Sequence, residues 1–290
     1  MWFRRIFLFI LTNLAVVLLL GIIVQVFGLD QWLQYRGVAY GPLLIFSALF
    51  GFIGSFISLA ISKWMALRST GARIIEQPRT ETESWLLATV ERQARAADIG
   101  TPQVAIFPSS VPNAFATGAR RDHALVAVSA GLLQSMGKRE VEAVLAHEIS
   151  HVANGDMITL SLLQGVVNTF VIFLSRALGS IIDGAIFGSR RGRGMGYFAV
   201  VMALQFVFGV LASTIVMAYS RRREFRADAG SAKLEGKKAM ISALLELGKQ
   251  ESDLPPALAA FGIKGGKAKA LFRSHPTIEQ RIEALEALPD

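Results

Sequence analysis

The sequence contains no cysteine among its 290 residues. This absence excludes disulfide bonds and zinc sites built from thiolates, and it is consistent with a reducing compartment. Charged residues are also scarce, at 18%, whereas an ordinary soluble domain has about 25%. Mean hydropathy is accordingly positive, at +0.45. The composition therefore favours a membrane protein, with room for one soluble domain of about 150 residues.

The charge that is present is strongly basic, with a formal net charge of +8. A basic balance is typical of nucleic-acid-binding proteins, but the chain carries no motif of such a protein. In a membrane protein the same excess is explained by cytoplasmic loops that follow the positive-inside bias. We therefore expect the lipid bilayer as a partner, and no nucleic acid.

Long apolar runs account for the hydropathy. Four of them are close to or above the length that a membrane-spanning helix needs, and they cover residues 6–28, 41–62, 157–175 and 197–219. The first run is too long for the apolar part of a signal peptide, and no small-residue cleavage site follows it. About four transmembrane helices are predicted, with the first as an uncleaved anchor.

Basic residues suggest the orientation of these spans. Arg4 and Arg5 precede the first run, and Lys63 and Arg68 follow the second, which places both flanks on the cytoplasmic side. The segment 188–196 between the third and fourth runs has three arginines. It would lie outside if both runs span, or inside if they only dip into the bilayer. Two full spans are favoured, because early segments dominate the orientation.

The remaining residues predict a soluble unit with helices and short strands. Strand-like runs occur at 103–107, 113–117 and 124–128, and an amphipathic helix is predicted over 138–154, with Asn154-Gly155 as its stop. A helix with a Thr277–Gln280 capping box is predicted near the C-terminus. The expected organisation comprises two N-terminal spans (1–62), a cytosolic part (63–156), a hydrophobic hairpin (157–219) and a second cytosolic part (220–290).

Two of the four histidines lie within the helix predicted at 138–154. His147 and His151 are one helical turn apart on the same face, so both imidazoles can bind one metal ion. Neutral imidazole suits zinc, and two such ligands leave room for a third ligand and a water. Glu148 stands beside the first histidine, where it can accept the proton of that water. This H-E-x-x-H pattern on a helix indicates a zinc hydrolase.

A third ligand must come from elsewhere in the chain. No histidine follows at the spacing of the longer H-E-x-x-H-x-x-G-x-x-H pattern, and His123 is interpreted as a turn residue without a catalytic role. Glu224 and Asp228 are spaced i, i+4 just after the fourth apolar run. One of them could bind the metal while the other orients a histidine. Their spacing alone is equally compatible with a solvated charged face.

Several motifs together resemble a known family. The segments HEISHVANGD, NAFATG, EFRADAGSAKL and SHPTIEQRI look like those of the HtpX family of bacterial heat-shock membrane proteases. That family is related to the CAAX prenyl proteases and belongs to the gluzincins. The resemblance extends over essentially the whole chain. It implies a mainly α integral membrane protein whose gluzincin-type metalloprotease domain is α+β, with helices and a small antiparallel β-sheet.

The resemblance also implies roles for individual residues. It implies one Zn²⁺ per chain bound by His147, His151 and Glu224, with Glu148 as the general base. Asp228 would not bind the metal itself but would orient a histidine ligand. His275 would help to stabilise the oxyanion, although it could equally be an ordinary residue at the entry to a helix.

The segment NAFATG resembles the gluzincin edge strand. In that group the backbone at the positions of Asn113 and Ala114 pairs with a bound peptide. Judged from spacing alone, the same segment would be a plain hairpin strand.

The function expected from these observations is a zinc metalloendopeptidase of the bacterial inner membrane. Its active site would face the cytoplasm, because both ligand-bearing segments adjoin apolar runs. Membrane proteins and unfolded polypeptides would be its substrates, in protein quality control and the stress response. The alternatives are a membrane scaffold or chaperone-like protein with a structural zinc ion, and a prenyl-protein-type protease. No motif indicates the cleavage specificity or the oligomeric state.

Overall fold

The structure is a computed structural model, and it describes residues 39–186, 195–252 and 275–289, together with scattered positions between 18 and 33. The apolar run 6–28 therefore lies largely outside the described residues, as does most of the basic segment 188–196. The described chain is mainly helical, as predicted. Its helices are α1 (Tyr40–Thr70), α2 (Glu81–Ala96), α3 (Ala130–Ser135), α4 (Lys138–Asn154), α5 (Asp156–Ile186), α6 (Met195–Glu235), α7 (Lys237–Ser252) and α8 (Ile278–Glu286).

Three of these helices, α1, α5 and α6, are long and apolar enough to cross a membrane. They contain the predicted runs 41–62, 157–175 and 197–219. Large apolar side chains on them are exposed, including Phe50 at 62% and Phe206 at 74%. Exposed apolar surface on this scale suits a hydrocarbon environment rather than water.

The chain divides into two compact units. The first comprises Met1–Ser58 and Ser161–Val216, and the second comprises Leu59–Leu160 and Met217–Asp290. Within the first unit α1 packs closely on α5, because a Cβ atom added at Gly51 would lie 2.5 Å from Oγ1 of Thr169. Small residues permit this close approach of apolar helices.

The second unit contains a four-stranded sheet. Its strands are β1 (Arg73–Ile74), β2 (Gln103–Phe107), β3 (Ala114–Thr117) and β4 (Leu125–Ser129), in the order β1-β2-β4-β3. The sheet is small, as predicted, but the expectation of a purely antiparallel sheet is wrong. β2 and β4 run parallel, whereas β1 with β2 and β3 with β4 are antiparallel. The reason is that β3 takes the outer position beyond β4, so that β4 lies beside β2.

The helix α4 is the centre of the second unit's core. It begins after Gly137 and ends at Gly155, which adopts a left-handed conformation with a φ of 68°. The N–H of Gly155 bonds the last carbonyl groups of the helix, as in a typical C-terminal cap. The bounds 138–154 and the glycine stop are thus confirmed. Leu145 and Ile149 are fully buried on the inner face of the helix.

The helix α6 lies against α4 at one close contact. A Cβ atom added at Gly230 would lie 2.3 Å from Oγ and 2.7 Å from Cβ of Ser150. One residue further, Oγ of Ser231 donates a hydrogen bond of 2.7 Å to the carbonyl of Ala143. Only glycine permits this spacing at position 230, so it determines how closely the two helices approach.

The replacement Gly230→Ala should therefore lower stability. Its methyl group cannot avoid Cβ of Ser150 without separating the helices, which costs about 1–3 kcal/mol of unfolding free energy. The matched control is Gly209→Ala on the same helix, where an added Cβ has no atom within 4 Å. Because alanine favours helix more than glycine does, Gly209→Ala should keep or raise the melting temperature in detergent. Equal melting temperatures for the two variants would contradict the close contact.

Candidate metal centre

Three potential ligands converge from α4 and α6. Nε2 of His147 lies 3.1 Å from Nε2 of His151. The two nitrogens lie 3.4 Å from Oε2 and Oε1 of Glu224, respectively. All three residues are buried, with Glu224 at 0% exposure. Each offers one ligand atom within 4.8 Å of the others, so the group could hold a metal ion.

The spacing of these atoms fits a small tetrahedral ion. A zinc ion bound at about 2.0–2.1 Å in tetrahedral geometry needs ligand atoms about 3.3–3.4 Å apart. The separations of 3.1 and 3.4 Å come close to that requirement. The donor set of two imidazole nitrogens and one carboxylate is also one that zinc accepts in catalytic sites.

The carboxylate of Glu224 gives a second indication of a cation. Neither of its buried oxygens receives a hydrogen bond of good geometry from the described residues. A buried carboxylate without such bonds is costly unless a positive charge compensates it. Besides the two histidines, Nδ1 of His275 faces Oε2 at 2.8 Å, and Nε of Arg223 lies 3.7 Å from Oε1. The lone pairs of Glu224 are thus directed at the point where the imidazole nitrogens meet.

Each histidine is held from behind by an aspartate. Nδ1 of His147 donates to Oδ1 of Asp228 at 2.9 Å, and Nδ1 of His151 donates to Oδ2 of Asp156 at 2.7 Å. Because the proton is then on Nδ1, the lone pair of Nε2 in each ring is available to a metal. The structure brings Asp228 to the position expected from the sequence. Asp156 was not predicted to contact the metal site, because an acid directly after a helix stop is typical of a cap for the next segment.

An arginine pairs with each aspartate. Arg281 of α8 binds Asp228 through two nitrogens, with Nε at 2.8 Å from Oδ2 and a terminal nitrogen at 2.6 Å from Oδ1. Arg226 reaches Oδ1 of Asp156 at 3.1 Å. The side chain of Arg281 is 11% exposed, whereas that of Arg226 is 55% exposed. Two His–Asp–Arg chains thus support the site, and one of them is almost wholly buried.

The electrostatics of the site favour a cation. Burial alone would lower the pKa of His151, but its hydrogen bond with Asp156 and the nearby carboxylate of Glu224 raise that pKa to about 9. For His147 burial acts in the same direction, and the adjacent carboxylates of Asp228 and Glu224 again raise the pKa above its ordinary value. The carboxylates therefore create a negative potential around the ring nitrogens, which stabilises positive charge at this point.

The other two residues expected at the site lie close to it. Glu148 is half-buried on α4, next to the first histidine. His275 precedes α8 and is 57% exposed, with its ring turned toward Glu224. His123 lies in a 3₁₀ turn (Arg121–His123), which agrees with its interpretation as a turn residue.

The strand β3 forms an edge of the sheet and packs alongside α4. The backbone of Asn113 is engaged with Ser129, since its carbonyl accepts from the N–H at 2.8 Å and its N–H donates to Oγ at 2.9 Å. Antiparallel pairing alternates along a strand. The backbone groups of Ala114 and Ala116 therefore point away from β4, toward the open edge.

Sequence reasoning missed Asp156, Arg226 and Arg281. The first had a local signal, because an acid directly after a helix stop lies close to the last turn of that helix. The local signal for Arg281 was weaker. It lies three residues after Ile278 and four residues before Leu285, which places it on the apolar face of α8. An arginine at such a position must find an acidic partner when it is buried.

Comparisons with known proteins agree with this site. Residues 80–288 match peptidase family M48. Protease HtpX of Stenotrophomonas maltophilia is 57% identical over 289 residues, which cover 98% of both chains. A protease HtpX homologue of Nitrosomonas europaea is 56% identical over 290 residues, covering 98% of this chain and 99% of the relative.

A solved structure shares the fold. The crystal structure of S. mikatae Ste24p aligns with a TM-score of 0.61 and 18% identity, covering 96% of this chain. The alignment covers 66% of the Ste24p chain, slightly less than two thirds of its length. The family and the HtpX relatives indicate a membrane-bound metalloprotease of the bacterial inner membrane, and the family implies a metal, typically zinc. The chain belongs to peptidase family M48.

Proposed function

We propose that this protein is a zinc metalloendopeptidase that cleaves membrane or misfolded proteins at the cytosolic face of the membrane. The observation that carries the proposal is the convergence of His147, His151 and Glu224 on one point, with Glu148 beside the first ligand. One Zn²⁺ per chain is the proposed cofactor. The spacing of the three ligand atoms and the two aspartates behind the histidines support that choice.

The proposed chemistry follows from the residues around the ligands. A zinc ion held by His147, His151 and Glu224 would supply a positive charge that polarises the scissile carbonyl and lowers the pKa of the attacking water. Glu148 accepts the proton of that water and returns it to the leaving amine nitrogen. His275 is itself exposed and lies next to Glu224, where it can donate a hydrogen bond to the oxyanion of the substrate. Asp228 and Asp156 hold the two imidazoles in the required tautomer.

The substrate is proposed to bind as an added strand. The edge expected around Asn113 and Ala114 lies beside the helix that carries both histidines. Because the backbone of Asn113 is engaged with Ser129, we assign peptide pairing to Ala114 and Ala116. Main-chain pairing is largely independent of side chains. This suits unfolded or damaged polypeptides, and with them a role in protein quality control and the stress response.

The cytosolic location rests on the order of the chain. The proposed organisation is two N-terminal spans (1–62), a cytosolic part (63–156), a hydrophobic hairpin (157–219) and a second cytosolic part (220–290). His151 precedes the hairpin by a few residues, and Glu224 follows it by a few. Both ligand segments therefore adjoin the bilayer, with the basic flanks Lys63 and Arg68 on the same side.

Two other functions are less well supported. A scaffold or chaperone-like protein with a structural zinc ion would not need Glu148, because a structural site requires no base. A prenyl-protein-type protease would share the chemistry, but this chain has about four predicted spans. That number leaves little material for a large intramembrane chamber.

The replacement Glu148→Gln should abolish proteolysis while zinc remains bound. Glutamine cannot accept the proton of the water, so we expect cleavage to fall by at least about 10²-fold. The measurement is cleavage of an unfolded substrate by protein purified in detergent, with zinc determined by elemental analysis. Glu140→Gln on the same helix is the matched control and should cleave normally. Normal cleavage by Glu148→Gln would exclude Glu148 as the base.

The replacement Glu224→Ala should remove both zinc and activity. It deletes the only proposed carboxylate ligand and leaves the two histidines with an incomplete site. Glu246→Ala on α7, whose carboxylate pairs with Lys249 at 2.9 Å, serves as the control and should retain about one zinc per chain. A full zinc content in purified Glu224→Ala would show that Glu224 is not a ligand.

Single cysteines can test the topology, because the chain has none. A cysteine at Gly192, between the third and fourth apolar runs, should react with a membrane-impermeant thiol reagent added to intact cells freed of their outer membrane. A cysteine at Gln134, which is exposed in the second unit, should react only after lysis. The reverse pattern, or protection of both sites until lysis, would contradict the proposed pair of spans.

A further inference from the structure

We propose that Arg281 is a positioning residue for the metal site, and that it acts through Asp228 to fix the orientation of His147. The inference rests on the proposed function, because it assumes that His147 binds zinc. It gives the C-terminal helix α8 an indirect part in metal binding, because that helix supplies no ligand itself.

The contacts form an unbroken chain from α8 to the ligand. Arg281 binds both oxygens of Asp228, at 2.8 and 2.6 Å. The oxygen at 2.6 Å, Oδ1, also accepts from Nδ1 of His147 at 2.9 Å. Such a two-point contact between planar groups fixes the rotation of the carboxylate. The imidazole therefore meets an acceptor in one orientation only, and its Nε2 is aimed at the proposed metal.

Because Asp228 is buried, its negative charge needs the positive charge of Arg281 as a partner. Asp228 is 1% exposed and Arg281 is 9% exposed. A buried carboxylate with only one histidine as partner would carry a largely uncompensated charge. It could relieve this cost by turning toward water, and that movement would release His147. The positive charge of Arg281 stabilises the carboxylate of Asp228 in its buried position, so Asp228 stays bonded to His147.

The helix α8 is built to hold the arginine in place. Thr277 and Gln280 form a capping box at its start, as predicted. Leu285, one turn beyond Arg281, is 1% exposed and belongs to the main core. The apolar face of α8 thus packs in the core, and this packing fixes the backbone position from which the guanidinium group of Arg281 extends. His275 lies just before the same helix, so both residues depend on its folding.

The second His–Asp–Arg chain is a natural comparison. Arg226 makes a single contact of 3.1 Å with Asp156, and its side chain is 55% exposed. An exposed single contact is weakened by solvent and salt. Each arginine therefore pairs with an aspartate that holds a ligand histidine, but the two arginines differ in burial and in the number of contacts.

The test measures zinc affinity in full-length detergent-purified protein, by competition with a chromophoric chelator. Methionine is close to arginine in length but has neither charge nor donors. Arg281→Met should weaken zinc binding by about 10–100-fold, and Arg226→Met should weaken it less. Arg95→Met, whose exposed side chain pairs with Glu91 on α2, is the control and should bind zinc as wild type does. Arg281→Lys should recover part of the loss, because it restores the charge but not the two-point contact. If Arg281→Met does not fold, Arg281→Lys alone decides, and wild-type affinity in it would overturn the proposal.

Two further measurements separate positioning from a general effect on folding. The visible absorption of the cobalt-substituted protein reports ligand geometry, and it should change in Arg281→Met but not in the control Arg95→Met. Leu285→Ala, which shortens a buried side chain of the same helix, should lower the melting temperature and leave the zinc affinity of the folded protein unchanged. An equal loss of affinity in Leu285→Ala and Arg281→Met would mean that Arg281 acts only through folding.

A double-mutant cycle tests the route through Asp228. In an Asp228→Asn background the further change Arg281→Met should have little effect on zinc affinity, because the carboxylate it orients is gone. Independent, multiplying effects of the two changes would contradict the proposal. If the wild-type protein does not bind zinc, the proposed function is overturned as well. Zinc binding by wild type that is unaffected in Arg281→Met would overturn this inference alone.

Discussion

Ionisable side chains buried between α4 and α6 impose the main constraint on this fold. His147, His151, Glu224 and Asp228 are all at most 6% exposed. Removing such groups from water is costly unless each finds a partner of opposite charge or a hydrogen bond. The close packing of the two helices at Gly230 brings the groups within reach of one another. The core around Leu145 and Ile149 holds α4 in place beneath them.

The buried charges are compensated at two levels, first around the proposed metal and then behind the histidines. The carboxylate of Glu224 and the two Nε2 atoms face one point, where a metal ion can compensate the negative charge. Behind them the two aspartates hold the imidazoles, and two arginines compensate the aspartates. The parts of this network come from distant stretches of sequence, separated by the largely apolar segment 157–219. The site therefore forms only when the whole second unit has folded.

Local patterns predicted a large part of this structure. The helix 138–154 and its glycine stop follow from amphipathic spacing and from the need for a left-handed residue at the cap. The capping box at Thr277 was equally visible. The i, i+4 spacing of Glu224 and Asp228 showed that both lie on one face, but spacing left open which one could bind a metal. The family resemblance, rather than periodicity, assigned that role to Glu224.

Long-range pairing escaped prediction. The parallel neighbours β2 and β4 are separated in sequence by β3, and strand patterns do not reveal the order of strands in a sheet. Arg281 and Asp228 are 53 residues apart, so no local rule relates them. Asp156 looked like an ordinary residue at the start of a helix, because its role depends on where the last turn of α4 ends.

The proposed site consists of two histidines and one glutamate that hold a zinc ion in the second unit. X-ray absorption at the zinc edge of the full-length purified protein reports these ligands without reference to activity. We expect four-coordinate zinc with two imidazoles and oxygen ligands at about 2.0–2.2 Å. A spectrum without two imidazoles, or a six-coordinate ion surrounded only by oxygen, would contradict it.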